Sequence, residues 1–352
     1  MIQSKHYKHC LLGWLVAYYK RFTAYRKRKK GEYNKQTLVF YWQTWLLSGQ
    51  PKDFLAYLLF RRDLGKPLSS AMAKRMGGKF DRFVGSKQVL LASMCLEKNW
   101  LIPIRECKSL VAGKTTKNIQ LPAVLSYMPY DALSIDQRKL LKIYTQQAIW
   151  RKAFYEETQE RMAKGSLCVV GNAGFMRDLN LAEAIDEHAL VGRCNNFSGE
   201  GDLVRHIGKQ IDVWILAQGY IINHRIPPVE WVVLVGPEIQ FRRLDWNGLL
   251  PLLRYDNNIK VITIPLNVWR SLVEQLEAPP SAGLVFLAFL HHLLGDWQGI
   301  SVAGFSALVK PSDKPYHISH PKHKASIRHN WDAEKQLLQA WLAEGLHSLH
   351  DE

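Results

Sequence analysis

The chain has 352 residues, 47% of them apolar, with 12 Trp and a formal net charge of +16 at pH 7. Such a composition excludes wholesale disorder and allows one large domain with an accessory region, or two domains. The charge points to anionic partners (nucleic acid, an anionic membrane surface, acidic glycans) and is silent on fold.

Residues 1–30 carry nine Lys or Arg and no acid, and end in "YRKRKKG". Within them "CLLGWLVAYY" (10–19) is apolar and aromatic, but it is ten residues long. A spanning helix needs about 20. A basic stretch before an apolar run resembles a signal peptide, yet there is no small-x-small cleavage site and more basic residues follow at once. We read residues 1–32 as a basic amphipathic arm, an interfacial helix on an anionic leaflet. The alternative is a basic terminus that touches nothing.

Residues 33–164 read as a helical accessory region. "TLVFYWQTWLLSG" and "DFLAYLLFRRDLG" are apolar-rich runs that each end at Gly. Ser134 and Gln137 have the spacing of a capping box, and the run that follows reaches Gly165 as one long helix or two. "GKTTK" (113–117) is not a P-loop, because the first Gly of that motif would fall on Lys108.

At Gly165 the character changes. "LCVVG", "ALVGRCNN", "QIDVWILA", "WVVLVG", "IKVITIP" and "GISVAGF" are strand candidates, alternating with helical stretches such as "GLVFLAFLHHLLG". That alternation predicts an α/β fold, a Rossmann-like sandwich with a mainly parallel sheet. Ligands of such sheets bind at the carboxyl ends of the strands.

Four segments carry candidate chemistry. The loop Gly171, Asn172, Ala173, Gly174 follows the first strand, where glycines permit close approach and backbone N–H groups ahead of a helix favour an anion. It lacks the GxGxxG dinucleotide pattern, and a purely structural turn is the competing reading. Ser281, Ala282 and Gly283 open a long apolar helix, and Ser281 could cap it and share its free N–H groups with an anion, or simply cap a core helix. Asn330 suits the start of a further helix, with Asp332 and Glu334 in its first turn. His329 stands just outside that positive end, where the imidazolium is disfavoured and a neutral ring is a competent general base. The competing reading is a solvent-facing His. "YHISHPKHKASIRH" (316–329) is crowded with His at irregular spacing, with no Cys to complete a zinc set. The Cys at 10, 95, 107, 168 and 194 form no CxxC, which suits reduced thiols in a cytoplasmic protein. There is no Asp-x-Asp to hold a divalent ion.

Together these segments resemble the animal-type sialyltransferase family, which uses CMP-sialic acid. "CVVGNAGFMRDLNLAEAIDEHALVGRCNNF" (168–197) is similar to the family's large motif, "PPSAGLVFLAFLHHLLGDWQGISVAGF" to its small motif, and "HNWDAE" has its terminal His-x4-Glu. The likeness covers about residues 165–340. It implies a variant GT-A type of fold for a glycosyltransferase domain over 165–352. It implies that Asn172 and Asn195 bind the phosphate and ribose of CMP, that Ser281 and Gly283 contact the nucleotide, and that His329 is the general base. Glu334 would be structural support, and His317, or as second choice His320, would meet the leaving phosphate. The family's large-motif Cys, matched by Cys168, pairs with a small-motif Cys for which this chain offers Gly295 or its neighbours. No such disulfide is then expected.

Two readings of different class follow. The first is an inverting, metal-independent glycosyltransferase that needs no cofactor. It would move a ulosonic acid from a CMP-activated donor (CMP-sialic acid, or CMP-Kdo in the same chemistry) to a glycan or glycolipid acceptor. A lipid-linked surface polysaccharide or lipopolysaccharide suits the basic arm. Absence of the disulfide and of a spanning anchor suggests a bacterial-type member, peripheral on the inner face of the cytoplasmic membrane. Nucleic acid is not an expected partner of this enzyme. The rival is a basic nucleic-acid- or membrane-binding protein with an inactive α/β domain.

Overall fold

The computed structural model describes residues 11–66, 122–197, 201–217, 226–237, 248–256, 258–306, 316–320 and 324–350, with a few single residues between them. The "GKTTK" stretch lies outside the described residues. The chain divides into two compact units. One holds Met1–Tyr144 with Ile239–Leu250 and Trp269–Pro279; the other holds Thr145–Glu238, Pro251–Val268 and Pro280–Glu352.

The first unit begins with three helices, α1 (Leu11–Lys29), α2 (Lys35–Ser48) and α3 (Pro51–Asp63). Asn34 caps α2 by accepting the Thr37 N–H at 3.0 Å, and Gly49 ends it in the left-handed region (φ 61°). Pro51 opens α3, where a missing N–H costs nothing. Aromatic rings form the core between these helices: Trp45 lies 4.4 Å from Phe54, and Tyr41 5.0 Å from Phe60. The buried Asp53 accepts a two-pronged bond from Arg21 (2.8 and 2.6 Å) and the Ser48 hydroxyl at 2.5 Å. Later in the chain, Trp269 Nε1 donates to Asp63 O at 2.8 Å and Arg270 to Gly65 O at 2.8 Å. Helix α4 (Ile135–Thr145) starts with the expected box: Ser134 N–H donates to Gln137 Oε1 (2.9 Å) and Gln137 N–H to Ser134 Oγ (3.3 Å).

The second unit is a seven-stranded sheet: β1 (Leu167–Val170), β2 (Leu190–Cys194), β3 (Val213–Ala217), β4 (Trp231–Val235), β5 (Lys260–Thr263), β6 (Ile300–Ala303) and β7 (His347–Ser348). The order is β5-β4-β3-β2-β1-β6-β7 and every pairing is parallel. The first six strands are buried almost throughout, as expected of parallel strands covered on both faces, and this is why they read as unbroken apolar runs. One face carries α5 (Gln147–Met162) and α6 (Ala282–Leu294); Phe154 of α5 meets Trp231 of β4 at 5.2 Å and Phe289 of α6 at 6.1 Å. The other carries short helical turns over a core containing Cys168, Val170, Met176, Ile185, Val191 and Ile207. Arg193 of β2 is buried on that side, donating to Gln210 O (2.6 Å) and Ile207 O (2.7 Å) with its guanidinium 4.4 Å from the Phe197 ring. Burial lowers its pKa to about 10.

The helical run before Gly165 is two helices, parted at Gln146. The second of them, α5, belongs to the sheet unit, so compact packing begins at Thr145 rather than at the first strand. Gln147 and Arg151 explain this: they donate to the carbonyls of Val261 and Thr263 of β5, at 2.8 and 2.9 Å.

Candidate active site

The strand order reverses between β1 and β6, and a crevice opens there at the carboxyl ends. The two strands end in facing glycines. A Cβ on Gly171 would stand 2.3 Å from Gly304 O, and one on Gly304 (φ 72°) 2.7 Å from Gly171 O. Only glycine on both sides lets the backbones cross this closely. Gly171 N–H donates to Ala303 O (2.8 Å) and Ala173 N–H to Gly304 O (3.1 Å), which pins the loop to β6. Above lies a cavity of about 410 Å³, a size usual for a small-molecule site.

Two asparagines are fixed on its rim by the strand ends. Asn172 Nδ2 donates to Cys194 O at 2.6 Å, while its own carbonyl accepts the Ile318 N–H at 2.8 Å. Asn195, just past β2, has φ 47°, a conformation Asn tolerates better than most residues. Its Oδ1 accepts the Ala217 N–H and its carbonyl accepts Trp214 Nε1, both at 2.8 Å. With Oδ1 engaged, the amide presents donors.

Helix α6 points its N-terminus into the same cavity through Ala282 and Gly283. A Cβ on Gly283 would lie 2.7 Å from the Phe305 ring, so glycine here sets how closely the helix approaches β6. Ser281 occupies the N-cap position but makes no side-chain cap bond. Its N–H donates to Glu334 Oε1 at 2.8 Å. The expected Ser cap bond is not made, and the N-cap residue is instead held by a carboxylate of another helix, α7 (Trp331–Ala343). Glu334 is 2% exposed, and burial pushes its pKa up to about 7 against the pull of the Ser281 bonds. Asn330 caps α7 as expected, accepting the Ala333 N–H at 3.3 Å.

Tyr316, His317, His320 and Trp331 close the remaining wall. His317 is buried, and its Nδ1 accepts the Ser319 N–H at 3.1 Å, which leaves the ring proton on Nε2 as a donor. The His320 ring lies 4.9 Å from it, and His320 Nε2 lies 3.1 Å from Asn196 Nδ2. Burial, then Glu334, pushes the Tyr316 phenol up to about 12, so it is a donor and not a base at neutral pH. The Cys168 and Cys194 thiols are likewise raised to about 12 by burial, which rules out thiolate chemistry near neutrality. Both are free thiols.

Of the residues singled out from sequence, Gly171, Asn172, Ala173, Asn195, Ser281, Ala282, Gly283, His317 and Glu334 all line this one cavity. Gly174 does not: it is buried at the start of a 3-10 turn, Gly174–Asp178, which stands where the loop was expected to enter a helix. His329 stands beside the cavity. Its ring is 5.0 Å from Trp331, and Nδ1 is 3.9 Å from Glu334 Oε1. Sequence reading passed over Gly304, Phe305, Tyr316 and Trp331. Gly304 had a signal, since "SVAG" ends its strand as "CVVG" ends β1. Among the described residues lining the cavity none is Lys or Arg, and no group of three or more metal-ligating side chains occurs among the described residues.

No family profile matches the chain, and no curated protein matches it in sequence. Solved structures similar to it include one described as a mammalian sialyltransferase, with 18% identity over 53% of this chain and 69% of that one, TM-score 0.39. Another is a mammalian sialyltransferase in complex with Gal-beta-1-3GalNAc-ortho-nitrophenol, with 13% identity over 83% and 94% of the two chains, TM-score 0.41. Likeness at this level decides nothing about chemistry.

Proposed function

We propose that this protein is an inverting glycosyltransferase that moves a ulosonic acid from a CMP-sugar to a glycan hydroxyl without a metal ion. The reading is carried by one observation: segments 171–173, 281–283 and 316–334, far apart in sequence, converge on one donor-rich cavity at the switch point of the sheet. A CMP-ulosonate leaves as CMP, and its phosphate needs hydrogen-bond donors where charge develops. The N-terminus of α6, Asn172 and His317 Nε2 supply them. Asn195 holds the ribose. The acceptor oxygen attacks the anomeric carbon from the side of His329, which takes its proton as the bond to phosphate breaks. Glu334 braces both His329 and the Ser281 turn.

CMP-sialic acid and CMP-Kdo are both donors compatible with this chemistry. The acceptor we propose is a lipid-linked glycan, met at an anionic leaflet on the cytoplasmic side of a bacterial membrane and reached through residues 1–30. The experiment is thermal unfolding with CMP, repeated in EDTA, followed by assay of CMP release from each donor. A CMP-induced rise in Tm that survives EDTA is expected. Absence of any CMP shift, with tight salt-sensitive nucleic-acid binding in its place, would overturn the enzyme reading.

A further inference from the structure

Helix α1 is built inside out. Gly13, Ala17 and Ala24 face inward and are buried, while Trp14, Leu15, Tyr18, Tyr19, Phe22 and Tyr25 are exposed, Trp14 by 59% and Tyr19 by 67%. At 100° per residue those six side chains fall within an arc of about 140°. The inward face is also where the helix keeps most of its charge. Lys20 donates to Gln43 (2.7 Å), Arg21 binds Asp53, Arg28 binds Asp63 (2.7 Å) and Lys27 pairs with Glu32. The large apolar groups of a water-facing helix ordinarily point the other way.

Only the last turn adds outward cations. Arg26 and Lys29 are exposed, and each lies over an aromatic ring of the same face: Arg26 5.7 Å from Phe22 and Lys29 5.1 Å from Tyr25. Lys30 follows, also exposed. Trp and Tyr are the residues that settle at the headgroup boundary of a bilayer, with the ring in the acyl edge and the polar tip in water. No helix among the described residues is long and apolar enough to cross a membrane.

We infer that the outward face of α1 is a membrane-docking surface that inserts its aromatic side chains into the interface of an anionic leaflet. This rests on the membrane half of the proposed function and is independent of its nucleotide half. Charge chooses the occupant: a second copy would set one +16 chain against another, whereas an anionic leaflet is opposite in sign to the chain and to Arg26, Lys29 and Lys30. The anchoring differs from simple attraction of a basic arm, because Lys20, Arg21, Lys27 and Arg28 are already engaged within the protein.

The test is partitioning of the full chain onto phosphatidylglycerol-containing vesicles at low and high salt. It uses two triple variants, Trp14→Ser/Tyr18→Ser/Phe22→Ser and Arg26→Gln/Lys29→Gln/Lys30→Gln. The aromatic variant is expected to lose at least about tenfold in partitioning at both salts, since each large ring buried contributes on the scale of a decade in affinity. The charge variant is expected to lose less than the aromatic one, and its loss is expected to shrink at high salt. Circular dichroism and thermal unfolding show whether each variant is folded, and CMP protection reads the nucleotide half separately. Partitioning kept by the aromatic variant and lost by the charge variant would overturn the inference. So would a wild-type chain that ignores vesicles and dimerises through this face by light scattering.

Discussion

Replacing Glu334 by Gln tests the architecture of the site through pH. The wild-type carboxyl titrates near 7 in the folded chain against an ordinary value of 4.5, because burial disfavours its charge. A rise of that size corresponds to about 3 kcal/mol, at 1.36 kcal/mol per unit. Below pH 4.5 both states hold the proton and nothing is lost. Between 4.5 and 7 the unfolded chain has released its proton while the folded chain keeps it, so this group's contribution to stability falls as pH rises. Above 7 the loss is complete and constant. Gln keeps an oxygen for the Ser281 N–H and cannot ionise.

The stability of Glu334→Gln relative to wild type should therefore climb by about 3 kcal/mol from pH 4.5 to 7.5 and then level off. Urea unfolding at a series of pH values measures it, with Trp214, Trp231 and Trp297, all buried in the sheet unit, as fluorescent reporters. Taking the difference between two proteins cancels the titrating groups remote from Glu334, and repeating it in a His329→Ala background removes the neighbour at 3.9 Å. Parallel curves would refute the buried, charge-averse carboxyl. A difference growing toward acid pH would refute it more strongly, because that is the mark of a carboxylate stabilised as its anion.

Three further outcomes are expected, the first from the proposed function and the other two from the geometry. His329→Ala should lower turnover by about 10²- to 10⁴-fold, the usual reach of a general base, while the Tm shift with CMP stays unchanged. Gly304→Ala should cost about 1–3 kcal/mol of stability and abolish CMP protection, since the new Cβ meets backbone, Gly171 O, at 2.7 Å in a left-handed conformation. Arg193→Met should destabilise the fold by about 3–5 kcal/mol in urea unfolding, because it strands the Gln210 and Ile207 carbonyls.

Local chemistry made much of the sheet unit legible. Its strands announce themselves because both faces are covered, and its cap at Asn330, like the box at Ser134 in the other unit, is a short-range bond that spacing alone can reveal. The rest depends on contacts between distant residues. Ser281 looks like a cap because cap residues are local, but it makes no cap bond, and its backbone N–H goes to a carboxylate 53 positions on. Gly171 needs glycine because of Gly304, which no window around either residue contains. In α1 an apolar and basic pattern was plain, but which apolar residues face water turns on size: Gly13, Ala17 and Ala24 allow close packing and the aromatic rings do not. Binary patterning treats these as one class.

The whereabouts of positive charge bears on the donor. The chain carries +16, yet the described residues lining the cavity include no Lys or Arg. A phosphate bound there, as proposed, would meet backbone N–H groups, amides and a histidine Nε2, each a partial charge, together with a helix N-terminus equivalent to about half a unit charge. Under the proposed function, that lining would suit the one phosphate of a CMP-sugar, which carries a single negative charge, and of the departing CMP, which carries up to two on the same phosphate. A nucleoside diphosphate brings a second phosphate and further charge, for which the described residues lining the cavity offer no Lys or Arg. CMP should therefore raise the Tm of the protein more than CDP or UDP does at equal concentration, with or without magnesium. The reverse order, or a magnesium-dependent gain with the diphosphates, would mean that the site is built for a different leaving group.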